Sequence, residues 1–343
     1  FSGPDRTDSV ASFLDQLGLA YHNIDIALQA PQMDILRDTN WHLLWQDIEN
    51  SRYEAALIST PCQTFSNARR GGQQDDGPRP LRAAHGPQLY GLDGLTEAER
   101  RQVEEANLLA QRAAQICAKL TQMRIPWVHE NSKEYPERPS IYHMTEWKAI
   151  AAHAQVQRFD IVQCHLGART SKPTTLLAFN TNLSTLPTEC KHSSKAWVYP
   201  SSGKRIKAPH PPLKGKEWPI LVNKHNPRQT YPHSKAFLTK AAAAYPTEMN
   251  QALAKALHQA LQCSLSAPPT QADSQSRQDA QTPQKGQPIY ACDGAGIHSS
   301  ADWTMPEFSA PQDELSQLRQ ALWPQLITVD VVSRLRQRLA HPS

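Results

Sequence analysis

Three strings in this sequence carry side chains whose chemistry depends on where the chain presents them. In ISTPCQTFSNARRGG (58–72) a β-like run ends in small residues, Pro61 fixes the backbone and Cys62 follows in the loop. Cysteine attacks only as the thiolate, and Arg69 and Arg70 close by are expected to lower its pKa. The plainer reading is a buried cysteine that ends a strand, and its company has to decide. In IPWVHENSKEY (125–135) an apolar run delivers Glu130 beside Asn131. A carboxylate there is an ordinary loop or cap residue, or a general acid whose pKa rises where water is partly excluded. Asp25 ends one apolar run, LAYHNIDIAL (19–28), and Asp47 ends another, HLLWQDI. Acids after successive strands suit hydrogen bonds to ribose hydroxyls and to an adenine amino group.

These residues need strands behind them. Residues 19–28, 53–60, 125–131 and 159–164 are short apolar runs of the kind that form buried parallel strands. One helix is strongly marked. Thr96 and Glu99 form a capping box, and Val103, Ala106, Ala110, Ala113, Cys117 and Leu120 recur at steps of three and four. Strands alternating with helices predict an α/β fold around a mostly parallel sheet, with chemistry at the strands' C-terminal ends. A further helical stretch is expected over 234–262, broken at Pro246 and restarted with Thr247 as N-cap. Residues 263–289 are too polar to repay ordering entropy and are expected to form a disordered linker. Leu315, Leu318, Leu322, Ile327, Val331 and Leu335 predict a short helical tail within 290–343.

The net charge of +4 conceals a strong asymmetry. Residues 191–240 hold eleven Lys/Arg and one acid, Glu217, so this window carries +10 and the rest of the chain sums to −6. A charge run is a solvated face or a nucleic-acid surface. Trp197, Tyr199, Trp218 and Tyr231 lie among the cations, able to stack on bases while Lys204, Arg205 and Lys207 meet phosphates. No apolar run approaches the roughly 18 residues of a membrane span, so no membrane partner is expected. FSGPDRTDSV lacks the features of a secretory signal, and a chain beginning at Phe1 without Met reads as a piece of something longer. Six scattered cysteines without a CxxC pair suggest a reducing, intracellular setting. Cys164-His165 and Cys190-x-His192 hold four metal-ligand types, but their spacing fits no established pattern and no metal is expected.

In order, Phe1-Ser2-Gly3, an acid at Asp25, Asp47-Ile48, Pro61-Cys62-Gln63-Thr64-Phe65-Ser66 and Glu130-Asn131 resemble the DNA cytosine carbon-5 methyltransferases. That family carries FxGxGG, an acid, a D-I pair, PPCQxFS and ENV. The resemblance covers about residues 1–190. Tyr245-Pro246 before a helix stands where the family has Phe-Pro and its last helix. It implies a Rossmann-like methyltransferase fold, with a catalytic core at 1–190, a basic insert at 191–233 in the target-recognition position, and helices at 234–262 returning to the core. Phe1, Ser2, Gly3, Asp25, Asp47, Ile48 and Pro61 would hold S-adenosylmethionine. Cys62 would attack carbon 6 of a flipped cytosine and Glu130 would protonate ring nitrogen 3, with Asn131 and Ser66 supporting the loop. Arg69, Arg70, Arg169 and Lys172 would join the insert on the nucleic acid, with DNA the expected partner, RNA still open, and a nuclear setting implied.

Two departures stand out. Thr60 replaces the first Pro of PPC, and GARTSKPTTLL (167–177) occupies the place of a Gln-x-Arg-x-Arg element. GPRPLR (77–82) and DGAGIHSSADW (293–303) are similar to methyltransferase-like segments of retrotransposon-type polyproteins from dinoflagellates. That context carries the alternative, a nucleic-acid-binding module that keeps the fold without turnover.

Overall fold

The computed structural model describes residues 7–25, 33–66, 69, 78–213, 216–222, 238 and 243–266, and those up to Gln262 belong to one compact unit. Helices α1 (Val10–Gln16) and α2 (Asp38–Glu49) precede strand β1 (Ala56–Ser59). Then come α3 (Glu97–Gln122), β2 (Trp127–Ser132), α4 (Thr145–Ala151), β3 (Val156–Val162) and β4 (Pro173–Phe179). A second, smaller sheet holds β5 (Lys195–Val198), β6 (Arg205–Ala208) and β7 (Ile220–Leu221), and α5 (Thr247–Ser266) closes the described chain.

The fold is α/β, but its main sheet is mixed rather than mostly parallel. The order is β1-β2-β4-β3; β1 and β2 pair in parallel through α3, while β4 runs antiparallel to both its neighbours. Connection length is the reason. A parallel return needs a crossover of a dozen residues or more. Between β3 and β4 the chain has only a 3-10 turn at Gln163–Leu166 and a short link through Lys172, so β4 must turn back. The strand expected over 19–28 is irregular across Leu19–Asp25, its described part. HLLWQDI is the end of α2, not a strand. Trp41, Leu44 and Ile48, all buried, recur at helical spacing that a short apolar run conceals.

The capping box at Thr96 and Glu99 is formed, and all six apolar positions expected to face inward along α3 are buried. β2 is buried on both faces, as a central strand must be. Strand alternation gives Trp127, His129 and Asn131 one face, and Val128 and Glu130 the other. On the first face Trp147 of α4 lies tilted against His129 with ring centres 3.9 Å apart, and its indole donates to the Ala110 carbonyl of α3. On the second, Val128, Ile161 and Leu176 pack with Val10 of α1 and with Met249, Leu253 and Leu257 of α5.

Thr247 is the first residue of α5 rather than its cap; its hydroxyl donates to Asp8 Oδ2 at 2.8 Å, and Asn250 Nδ2 donates to the Asp8 carbonyl. Most of the expected linker (267–289) and the whole tail (290–343) lie outside the described residues. Leu253→Ala should lower stability by about 2–5 kcal/mol, read as a fall in urea midpoint at constant m-value, because this side chain joins α5 to both the sheet and α1.

Candidate active site

Register brings the two chemically loaded strings together. β1 and β2 run in parallel with Ser59 opposite Glu130, so Cys62 leaves the sheet three residues beyond Glu130's partner. Asn131 binds the loop directly, its Nδ2 donating to the Thr60 carbonyl at 2.9 Å. A second tie runs through Thr60. Its hydroxyl lies 2.8 Å from His129 Nε2, His129 Nδ1 lies 3.1 Å from the Tyr142 hydroxyl, and that hydroxyl donates to the Thr175 carbonyl. Complete burial holds His129 neutral, with its pKa down to about 3. A neutral imidazole in this chain accepts from Thr60 at Nε2 and donates from Nδ1, so each polar atom is paired.

Glu130 faces α5, where Tyr245 meets it. The Tyr245 hydroxyl donates to Glu130 Oε2 at 2.7 Å and makes a second, short bond to the Ser59 hydroxyl. Glu130 Oε1 has no hydrogen bond among the described residues. Burial raises the Glu130 pKa above the usual carboxylate range, against the pull of Lys172 and of Tyr245. Lys172 Nζ donates to the Ala243 carbonyl at 3.1 Å and stands 5.4 Å from the centre of the Tyr245 ring. Its own pKa is lowered by burial, while Glu130 and Cys62 hold its charge in place. Lys172 thus belongs beside the cysteine and the carboxylate.

Burial also raises the Cys62 pKa, opposed by a Ser132 hydrogen bond, reinforced by the charge of Glu130 and opposed again by Lys172. This corrects the expected lowering by neighbouring arginines. Arg69 is occupied elsewhere, donating to the Gln63 and Arg79 carbonyls and to Gln102 Oε1; Arg70 lies outside the described residues. Cys62 and Glu130 keep partial exposure although protein surrounds them closely. Alongside the same loop lies a cleft of about 400 Å³ lined by Thr64, Ser66, Arg69, Arg82 and Arg138. Arg82 is buried in its wall, donating to Thr64 Oγ1, the Leu89 carbonyl and Asn107 Oδ1, with its guanidinium 3.8 Å over Phe65. Burial, with the charge of Arg69, brings its pKa down to about 9.

The residues expected to hold S-adenosylmethionine do not gather in the same way. Phe1, Ser2 and Gly3 lie outside the described residues. Asp25 is buried at the end of an irregular segment. Asp47 is fully buried in α2 and pairs with Arg52 Nε at 3.2 Å, and Ile48 packs in the core. Asp47 thus lies inside α2 and not at the end of a strand, where the adenine contact was expected. Pro61 alone is at the Cys62 loop. The described residues therefore do not fit the expected adenine seat.

On the basic sheet, Lys204, Arg205 and Lys207 are exposed, and strand alternation gives Arg205 and Lys207 one face. Trp197 is on the other face, buried, with its indole donating to the Ala208 carbonyl. It is the sheet's core and not a stacking platform. The Tyr199 backbone closes the β5–β6 turn onto Lys204. Trp218 is covered by Arg169, whose guanidinium lies 4.4 Å from its ring; Tyr231 is outside the described residues.

Sequence reading missed Thr60, His129, Arg82 and Tyr245 as parts of the site. The usable signal was polarity where a strand should be apolar, as at His129, and Tyr245 just before the helix start. No protein family, curated protein or solved structure matches this chain. Among the described residues no helix is long and apolar enough to cross a membrane.

A raised carboxyl pKa has a sign that can be measured. The stability gained by keeping Glu130 neutral is complete below the unfolded pKa of about 4.3 and is lost as pH climbs through the higher folded value. Glu130→Gln should remove that loss, so its stability relative to wild type should grow from pH 4 to pH 8 in urea titrations.

Proposed function

We propose that this chain is a DNA cytosine carbon-5 methyltransferase, with Cys62 as nucleophile and Glu130 as general acid. The observation that supports this most is the convergence of Cys62, Glu130, Lys172 and Tyr245 on one strand end, with Glu130 biased toward its protonated form. Tyr245 occupies one carboxyl oxygen and orients the other, Oε1, for a ring nitrogen. Lys172 offers the thiolate a counter-charge that offsets part of the cost of ionising a buried thiol.

In the addition step the Cys62 proton leaves to solvent and Sγ bonds to carbon 6 of a flipped cytosine. The carbon 5–carbon 6 π electrons move toward the ring as nitrogen 3 takes a proton from Glu130. Carbon 5 is then electron-rich, and accepts a proton from water if nothing else is offered. Reversal expels Cys62 and returns the base with its original carbon 5 hydrogen exchanged. The methyl donor of the proposal is S-adenosylmethionine; the described residues do not form its adenine seat, so no transfer geometry is derived.

A second reading has its own observation. Asp47 is engaged with Arg52 and burial disfavours the Cys62 thiolate, which suits a nucleic-acid-binding module that no longer turns over.

Three measurements separate these readings. Tritium at carbon 5 of cytosine in duplex DNA should be released to water by the wild-type chain without any cofactor. Cys62→Ser should abolish release, and Glu130→Gln should slow it by about 10²–10⁴. A duplex carrying 5-fluorocytosine should form a covalent adduct only when S-adenosylmethionine is added. Exchange without an adduct would leave the addition chemistry and remove the methyl donor; neither signal, with DNA still bound, would establish the binding module. Changing Lys204, Arg205 and Lys207 together to Ala should flatten the salt dependence of DNA affinity by about three units of log–log slope. An unchanged slope would make this face merely solvated.

A further inference from the structure

A cluster remote in chemistry from the Cys62 cleft gathers where the basic sheet meets the core. Cys164 sits in the 3-10 turn after β3, Cys190 and His192 in the connection from β4 to β5, and His210 just after β6. One ligand atom from each lies within 4.8 Å of all the others. We propose that Cys164, Cys190, His192 and His210 form a closed, four-coordinate structural zinc site. It is independent of the cytosine chemistry proposed above.

Two of the spacings are close to the edge of a zinc tetrahedron, and the others lie within 4.8 Å. With Zn–S near 2.3 Å and Zn–N near 2.0–2.1 Å, sulfur and nitrogen ligands around one zinc stand about 3.5 Å apart. Cys190 Sγ lies 3.5 Å from His192 Nδ1 and 3.2 Å from His210 Nε2. The two imidazoles meet edge to face, with centroids 4.7 Å apart, as ligands approaching one ion from different directions do. Both cysteines are free thiols, Cys164 buried and Cys190 partly so. Two thiolates with two imidazoles select zinc over magnesium, calcium or manganese. Together with a divalent ion they are electrically neutral, which suits a region already rich in cations.

An outer shell is present as well. The His210 ring also hydrogen-bonds the backbone of Arg169, the kind of second contact that fixes a ligating imidazole. His165, the histidine that sequence adjacency favours, is not in the ligand set. It stacks on His192 at 4.5 Å and its Nε2 accepts from the Lys191 backbone N–H, so it braces the site from outside.

The small sheet explains what such a site would do. Its strands hold four, four and two residues, with Trp197 and Ile220 the buried apolar side chains they contribute. That is too little core for a three-stranded sheet to stand alone, and small units of this kind are commonly completed by a metal. The ligands come from both sides of the junction, so zinc would clamp the sheet to the end of β3.

The whole chain, purified under reducing conditions with zinc supplied and then dialysed, should retain one zinc per chain by elemental analysis. Cobalt in its place should give the visible bands of tetrahedral Co²⁺ and a near-ultraviolet charge-transfer band from two thiolates. Cys190→Ser and His210→Ala should lose the metal, while His165→Ala and Cys62→Ser keep it. Chelation should open the Lys191–Lys207 stretch to trypsin and leave α3 intact. Should the ligand variants fail to fold, the wild-type cobalt spectrum decides alone. Absence of stoichiometric zinc and of tetrahedral cobalt bands in the folded wild type would overturn the proposal, as would a Cys164–Cys190 disulfide formed under the same conditions or full zinc retention by Cys190→Ser.

Discussion

Everything at the Cys62 cleft depends on one parallel pairing, β1 beside β2. Parallel strands deliver their following loops to the same sheet edge, and this pair does so in a register that sets Ser59 opposite Glu130. Backbone pairing alone would leave the loop at 60–62 free to swing. The Asn131 side chain, reaching the Thr60 carbonyl, and the Thr60–His129–Tyr142–Thr175 chain remove that freedom. Polar groups buried at that depth are costly when unpaired, so each member holds the next. Thr60 is therefore an integral part of this site. Proline there would forfeit the hydroxyl on which His129 depends.

How much of this was legible in the sequence varied with the kind of signal. Local signals carried well: Thr96 and Glu99 mark the start of α3, and a period of three to four names its buried face, because both are set within a turn or two. Strand direction did not carry, and β4 was not expected as a strand at all. Nothing within FDIVQC or PTTLLAF says which way a strand runs; the shortness of the link between them does. HLLWQDI misled because a seven-residue apolar run fits either period. In the site, Cys62 and Glu130 were visible as unusual residues after apolar runs. Tyr245 and Lys172 were not visible as their partners, since contacts across 42 and more positions leave no local trace. The cluster of Cys164, Cys190, His192 and His210 was legible in three of its four residues. Adjacency suggested His165 for the fourth, but a ring next in sequence to Cys164 leaves the turn in another direction.

Charge separates the molecule's tasks. Burial governs the cleft, raising the pKa of Cys62 and Glu130 and lowering that of Lys172, so the three lean toward neutrality while Coulomb attraction draws Lys172 the other way. A small shift in water access would then change which of them carry charge. The exposed cations of β6 stand in water, where attraction to an anion is long-ranged but screened by salt. The two regions therefore differ in how strongly salt would screen their charges.

The ten residues between β3 and β4, 163–172, touch both of those regions. At one end of this link Cys164 enters the thiol–imidazole cluster. In the middle Arg169 covers Trp218 of the basic region and hydrogen-bonds His210 through its backbone. At the far end Lys172, held at positive φ, sets its ammonium beside Glu130 and Cys62. Gly167 within it also has positive φ, and a Cβ there would strike the Glu248 carboxylate at the start of α5. A segment this short, fixed at both ends and pressed on one side by α5, has little room to move independently. The thiol–imidazole cluster, the cover over Trp218 and the ammonium beside Glu130 are thus all set by one short, closely held connection.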